Sequence, residues 1–216
     1  IADRSEPATK LKLSTDNDIL DAETGEVSYQ RLKDLGQIPI ITFTGAMPTF
    51  KGDKKKNSVR MKFEDPEHPE LNFDVLLKEI DVQGTSSQFY SRKNYKLKFD
   101  EKFAHIKGAI PVKVYCMKAD YAEATSTHNT GIANLAHTLY SEPIPPQLDD
   151  PRCRTTIEGF PCVIFHKETP ESEPYFLGKY NFNYDKGSED VFGFTEDYDV
   201  ESWEFAKNDT PSHAVT

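Results

Sequence analysis

The chain has 216 residues, with 26 basic and 36 acidic side chains and a formal net charge of −10. Its 14 Phe and 10 Tyr residues argue against intrinsic disorder, and a chain of this length can build a core without disulfide bonds. The acidic balance argues against general affinity for nucleic acid, and no run approaches the ~18 apolar residues of a membrane span. Residues 1–6 carry no secretory signal, so we expect a piece of something larger.

The first half of the chain predicts a sheet. Residues 1–36 are polar and lack a sustained period, so we interpret them as an N-terminal arm or a peripheral strand. Beyond them, β-branched and alternating segments predict at least five strands. These strands cover 39–44, 59–63, a long strand over 71–84 with a bulge at 76–77, 95–99 and 112–117.

The second half predicts one main helix and two more strands. The helix is expected at about 123–139, and an apolar stripe at helical spacing marks its packing face: Ile132, Leu135, Ala136 and Leu139. Residues 143–146 predict a stiff extended connector, and 155–165 and 175–184 predict strands. Aromatic residues of the segment 190–206 are expected to pack on the body. Mostly adjacent, antiparallel strands with one late helix indicate an α+β fold.

Charge is distributed unevenly. Six basic residues lie within 51–62 and six within 92–107, whereas 168–209 holds twelve acidic and three basic residues. One interpretation is a solvated loop tip at 54–56 and the outward face of a strand at Lys96 and Lys98. The other is a basic wall facing an acidic wall across a cleft, where an anionic ligand and a divalent ion meet.

Common catalytic motifs are absent from the sequence. It contains no glycine-rich phosphate loop, no G-x-S-x-G nucleophile elbow and no H-E-x-x-H zinc helix. Cys162 and His166 have the spacing of half a metal site, but Cys162 lies in an apolar run and is better interpreted as a small hydrophobic residue.

Three segments remain as candidate sites. The turn 83–87 offers a glycine and hydroxyl side chains that suit an anion. The helix start near His128 also suits an anion, because the positive end of the helix dipole lies there. His128 alone suits a cap or a packing role. Asn181, Asn183 and Asp185 alternate, so on a strand they share one face. That face suits either a weak hard-cation site or ordinary solvation.

These segments resemble the spore-coat CotH kinase family. Residues 83–87 are similar to its R-G-x-S-S pattern, 92–99 to its K-x-S-Y-K-L-x-F strand, and 120–129 to its D-Y-x-D-x-S-x-x-R-N stretch. The resemblance covers roughly 37–206, which would be one CotH-like domain between the arm and a C-terminal tail at 207–216.

The resemblance implies a β-rich, atypical kinase-like fold and a nucleotide site. Gly84, Ser86, Ser87 and Lys96 would contact the nucleotide. Lys96 or Lys98 would hold phosphates, Asp185 with Asn183 would hold magnesium, and Asp120 would be a possible base. Lys96 and Lys98 would share one strand face, and Lys93 would point the other way.

The sequence also departs from the family pattern. His128 replaces an arginine, residues 180–185 replace a W-D-x-D metal segment, and a long C-terminal portion is missing. We therefore expect a structural or adhesive module of a larger assembly, first a bacteriophage virion or tail component, that binds other protein subunits or a host-surface ligand without a cofactor. The alternatives are an active Ser/Thr kinase using ATP and Mg²⁺, and a carbohydrate-binding surface module that uses Trp203 and the tyrosines.

Overall fold

The computed structural model describes residues 19–21, 26–123, 125, 128–139 and 142–194. Its strands are β1 (Ile40–Thr44), β2 (Lys55–Lys56), β3 (Arg60–Glu64), β4 (Phe73–Leu76), β5 (Glu79–Gln83), β6 (Asn94–Phe103), β7 (Val112–Lys118), β8 (Gly159–Lys167) and β9 (Tyr175–Tyr184). Its α-helices are α1 (Tyr29–Leu35), α2 (His128–Leu139), α3 (Pro145–Asp149) and α4 (Glu189–Phe192). The predictions for the C-terminal tail and for Trp203 lie outside the described residues.

The described strands form one mixed sheet. Its order is β2-β5-β6-β7-β9-β8-β1-β3-β4. β1 and β8 run parallel, and the other paired neighbours in the described part of the chain run antiparallel. A sheet-rich domain with few helices agrees with the predicted α+β class. No described helix has the length and apolar character needed to cross a membrane.

The sheet curls so that its two ends meet. The pair β2 and β5 at one end and the pair β3 and β4 at the other belong to the same antiparallel hairpin. β2 pairs with β5 and β3 pairs with β4, so the chain from 55 to 64 follows the chain from 73 to 83 in both pairings. Two further backbone bonds join the halves: Asn57 N donates to Lys78 O (3.3 Å) and Leu77 N donates to Val59 O (2.9 Å). The long strand predicted over 71–84 is in fact two strands, β4 and β5, which are interrupted at residues 77–78, next to the bulge predicted at 76–77.

The curled sheet encloses an aromatic core on its inner face. Rings from distant strands meet there, as between Phe63 and Phe182 (6.0 Å between centroids) and between Phe73 and Phe103 (4.8 Å). The alternating residues of the same strands point outward, because successive side chains of a strand lie on opposite faces. The core therefore occupies one face, and the chemistry-bearing side chains lie on the other, which we call the outer face.

Helix α1 covers part of the outer face. Leu32 packs there in a second apolar cluster with Ile40, Val163 and Phe165. Ser28 caps the helix start by accepting a hydrogen bond from Arg31 N (3.4 Å), and Gly36 ends the helix in a left-handed conformation (φ 61°). The expectation of an arm or strand at this position missed the helix, because seven residues are too short to show a clear period.

Helix α2 is present, but its predicted packing face is wrong. Ile132, Leu135 and Leu139 are 57%, 53% and 72% exposed, whereas Thr130 and Ala133 are buried. Thr156 Oγ1 donates a hydrogen bond to Ala133 O (3.4 Å). Small side chains allow this close approach, and the bulky stripe consequently faces away from the domain.

Two flanking segments also differ from the predictions. The extended connector expected at 143–146 instead enters α3, where Pro145 occupies the first turn. The strand expected at 155–165 begins only at Gly159. The sequence correctly indicated that the chain breaks after α2, but it missed helix α3 and placed the start of the next strand too early.

Candidate functional site

The candidate residues lie in register on the outer face of β5, β6, β7 and β9. Asp81 is opposite Lys96, Lys96 is opposite Cys116, and Cys116 is opposite Asn183. One step along the sheet, Gln83, Asn94, Lys118 and Asn181 form the neighbouring row. Lys118 Nζ donates to Gln83 Oε1 within that row (2.6 Å). The strand register therefore places residues from distant parts of the chain side by side.

Lys96 and Asp185 are in direct contact, as the resemblance implies. Lys96 Nζ lies 2.8 Å from Asp185 Oδ2, and the thiol of Cys116 donates to the other carboxylate oxygen, Oδ1 (3.1 Å). Burial by itself would raise the pKa of Asp185, but the hydrogen bonds from Lys96 and Cys116 hold that pKa below its usual value. Burial raises the pKa of Cys116 to about 12, so this cysteine stays a neutral thiol at physiological pH.

Lys98 belongs to a different ion pair. Its ammonium lies 2.9 Å from Glu79 Oε1, and Lys54 and Lys56 lie 3.5 and 3.9 Å from oxygens of the same carboxylate. The hydrogen bond from Lys98 is the main cause that lowers the pKa of Glu79. Lys98 therefore shares the strand face of Lys96 but not its partner, Asp185.

Asn183 is not arranged as a free ligand beside Asp185. Its side chain is buried, and its amide oxygen has no hydrogen-bond partner among the described residues. That oxygen instead lies against Gly159, where an added Cβ would overlap it and the carbonyl of Phe182. In the described part of the chain, no three His, Cys, Asp or Glu side chains group as a metal site.

The half-site suggested by the spacing of Cys162 and His166 is not formed. Cys162 is fully buried in the core, which confirms its interpretation as a hydrophobic residue. Both ring nitrogens of His166 lie within hydrogen-bond distance of other groups, the Tyr175 hydroxyl and the Gly45 carbonyl (2.6 Å each).

The turn at 84–90 uses most of its polar groups internally. Gly84 has a φ of 119°, and an added Cβ there would overlap the Ser87 hydroxyl. That hydroxyl accepts a hydrogen bond from Asn94 Nδ2 (3.3 Å). Lys93, as expected, points away from Lys96, and its ammonium donates to the carbonyls of Gln88 and Tyr90 (2.6 Å each). Ser86 precedes the short helical turn 87–89 and makes no side-chain cap.

Asp120 links β9 to the start of α2. Its carboxylate accepts hydrogen bonds from Asn181 Nδ2 (2.6 Å) and Asn129 Nδ2 (3.1 Å), and its φ of 43° is rare outside glycine. The adjoining peptide is also held, because Ala119 N donates to Asn94 Oδ1 (2.7 Å) and Arg92 donates to Ala119 O (3.0 Å).

Beside these contacts lies an open cavity of about 280 Å³, which we call the Asp120 cavity. It is lined by Ser87, Tyr90, Arg92, Asn94, Asp120, Tyr121, Ala122, Glu123, His128 and Asn129. Neither Lys96 nor Asp185 lines it. The candidate residues therefore form two neighbouring groups, the ion pair and the cavity, joined through β6, where Asn94 and Lys96 lie two residues apart.

Sequence reasoning missed His105. Its ring is buried in the core and lies 4.5 to 5.6 Å, centroid to centroid, from the rings of Tyr115, Phe160, Phe182 and Tyr184. Neither ring nitrogen has a hydrogen-bond partner among the described residues. Burial, with a smaller contribution from the charge of Arg154, lowers its pKa to about 3. The one available signal was its apolar flanks, Phe103-Ala104 and Ile106.

Comparison with known proteins adds no relative. A scan of the chain against protein-family models found no match, and a search of curated proteins found none. The CotH-like resemblance and the roles that it implies for Lys96, Lys98, Asp120, Asp185 and Asn183 therefore stay predictions.

Proposed function

We propose that this chain is a CotH-like domain that serves as a non-catalytic binding module of a larger protein assembly, with a bacteriophage virion or tail as the assembly we favour. The observation that carries the proposal is the state of the Asp185 carboxylate. Both of its oxygens already accept hydrogen bonds, one from Lys96 and one from Cys116.

This arrangement fits magnesium poorly. Mg²⁺ requires near-octahedral oxygen ligands, and proteins usually supply one or two carboxylates for it. Here the ammonium of Lys96 occupies one side of the carboxylate, and the amide oxygen of Asn183 lies against Gly159. Binding a metal would displace Lys96 and turn Asn183 in a packed environment. The Asp120 cavity, at about 280 Å³, is also small for a nucleotide, because pockets for drug-sized ligands usually measure about 300–1,000 Å³.

The exposed stripe of α2 supports the protein-binding part of the proposal. Its three large apolar side chains lie outward on successive turns, and Leu148 of α3 is exposed as well. Contiguous exposed apolar surface is typical of interaction sites. An assembly subunit that packs against α2 would bury this stripe.

A stability measurement tests whether the stripe is surface rather than core. We expect Ile132→Ser combined with Leu135→Ser to leave the free energy of unfolding of the isolated domain within about 0.5 kcal/mol per site of wild type, because exposed positions contribute little. Ala133→Leu is the matched control, since overfilling a buried position of the same helix costs about 1–3 kcal/mol. A loss of several kcal/mol in the double variant would show that the stripe packs inward.

The second candidate is an ATP-dependent protein kinase, and the contact between Lys96 and Asp185 favours it. Calorimetric titration with ATP and Mg²⁺ separates the two proposals. We expect no micromolar binding to the wild-type domain. Micromolar binding that disappears in Lys96→Ala and persists in Lys98→Ala would overturn the non-catalytic proposal in favour of the kinase.

A further inference from the structure

We propose that the Asp120 cavity binds a single sugar ring, a neutral polyhydroxyl ligand. The inference concerns a different group of residues from the Lys96–Asp185 pair and does not depend on the assembly proposal. It rests on the partly exposed aromatic wall of the cavity and on the fixed polar groups that line it.

The aromatic wall consists of two tyrosines. The rings of Tyr90 and Tyr121 lie 5.5 Å apart at an interplanar angle of 37°, and Tyr121 is 51% exposed. An amphipathic ring suits a ligand that has both apolar C–H faces and hydroxyl groups, because the ring offers an apolar body and a polar tip. The C–H face of a pyranose would pack on this wall.

The polar wall is held in place before any ligand arrives. Arg92 is fixed by its hydrogen bond to Ala119 O, and its guanidinium lies over the ring of Tyr121, 5.6 Å from the centroid. Asp120 is fixed by the two asparagine amides. Groups that are already ordered lose little conformational entropy when a ligand binds, which favours affinity.

The charges of the cavity favour a neutral ligand over an ion. Asp120 and Glu123 place two carboxylates in the lining, which disfavours phosphate and other anions. The guanidinium of Arg92 disfavours a cation, and Glu123 already accepts hydrogen bonds from the backbone of Thr125 and His128 (2.9 and 3.0 Å). Each carboxylate oxygen has a second lone pair that can accept a hydrogen bond from a ligand hydroxyl, and the guanidinium of Arg92 can donate to a hydroxyl oxygen. A neutral polyhydroxyl ligand therefore matches both kinds of group.

Saturation-transfer NMR tests the proposal on the full chain, with glucose, galactose, mannose and N-acetylglucosamine as probes at millimolar concentration. We expect transfer to the ring C–H protons of at least one sugar. The signal is expected to disappear in Tyr121→Ala and to persist in Tyr121→Phe, which keeps the ring. Tyr175→Ala is the control, because Tyr175 is similarly exposed but lies away from the cavity, beside His166.

Several results would overturn the proposal. They are no transfer to any of the four sugars, transfer that persists in Tyr121→Ala, and equal loss in Tyr121→Ala and Tyr175→Ala. Displacement of the sugar by inorganic phosphate would identify an anion site instead. The ATP titration reports separately on the non-catalytic proposal, so failure of one proposal is distinguishable from failure of the other.

Discussion

Lowering the pH from 7 to 5 is expected to reduce the free energy of unfolding by about 2 kcal/mol through His105 alone. The unfolded chain binds a proton at this histidine below its ordinary pKa of about 6.5. The folded protein keeps the ring neutral down to about pH 3, because the aromatic core excludes water from both nitrogens. The contribution is therefore fully present above about pH 6.5 and is lost as the pH falls toward 3, at about 1.4 kcal/mol per pH unit.

Urea unfolding of wild type and His105→Phe across this pH range measures the effect. Phenylalanine keeps an aromatic ring in the cluster and cannot be protonated, so we expect the variant to show little loss between pH 7 and 5. The two proteins are compared by how steeply the free energy of unfolding changes with pH. A stability difference caused by packing alone is the same at every pH and does not change this slope. Equal slopes in wild type and His105→Phe would contradict the prediction.

Replacing Lys96 with alanine is expected to destabilise the domain by about 2 kcal/mol at neutral pH. Removing one partner of a buried ion pair costs about 3–5 kcal/mol, and solvent reduces that cost here because the Lys96 side chain is 37% exposed. Among the described residues, Asp185 would then keep Cys116 alone as a side-chain partner. Its burial would then raise the pKa of the carboxyl above the usual value.

The direction of the pH dependence follows from the pKa of Asp185. In wild type this pKa is lowered, so its contribution to stability is present above the unfolded pKa of about 3.9 and is lost as the pH falls through the lower, folded value. In Lys96→Ala the folded pKa of Asp185 is expected to lie above the unfolded pKa instead of below it. The loss in free energy of unfolding relative to wild type is therefore largest at neutral pH. Carboxyl ¹³C NMR titration and urea unfolding at pH 7 and 4 measure both effects.

Lys98→Ala is a matched control for this experiment. Lys98 has nearly the same exposure, 38%, but its partner Glu79 keeps Lys54 and Lys56 nearby. We therefore expect a loss below about 1 kcal/mol, as for ordinary surface pairs. The combined variant Lys96→Ala/Asp185→Asn should recover part of the Lys96→Ala loss, because it removes the unpaired buried charge. Equal losses of free energy of unfolding in Lys96→Ala and Lys98→Ala would contradict the prediction, because they would show that the contact with Asp185 stabilises the fold no more than the contact with Glu79.

The candidate site was predicted in part. Alternation along β6 indicated that Lys96 and Lys98 share a face, and the motifs selected the turn at 84–87 and the segment at Asp120. The contact between Lys96 and Asp185 spans 89 positions in the chain, and only the resemblance suggested it. Local pattern could not show that Lys98 pairs with Glu79 instead, because that choice depends on the register between β5 and β6.

The sequence by itself determined the local elements of this protein, since period-two and helical patterns arise from backbone geometry within a few residues. Six of the strands and the existence of α2 were identifiable for that reason. Only the tertiary structure decided how the sheet curls, which side of α2 packs and that His105 is enclosed by aromatic rings. Those outcomes depend on which distant surfaces meet, and a side-chain pattern identifies a face of an element without identifying what covers it.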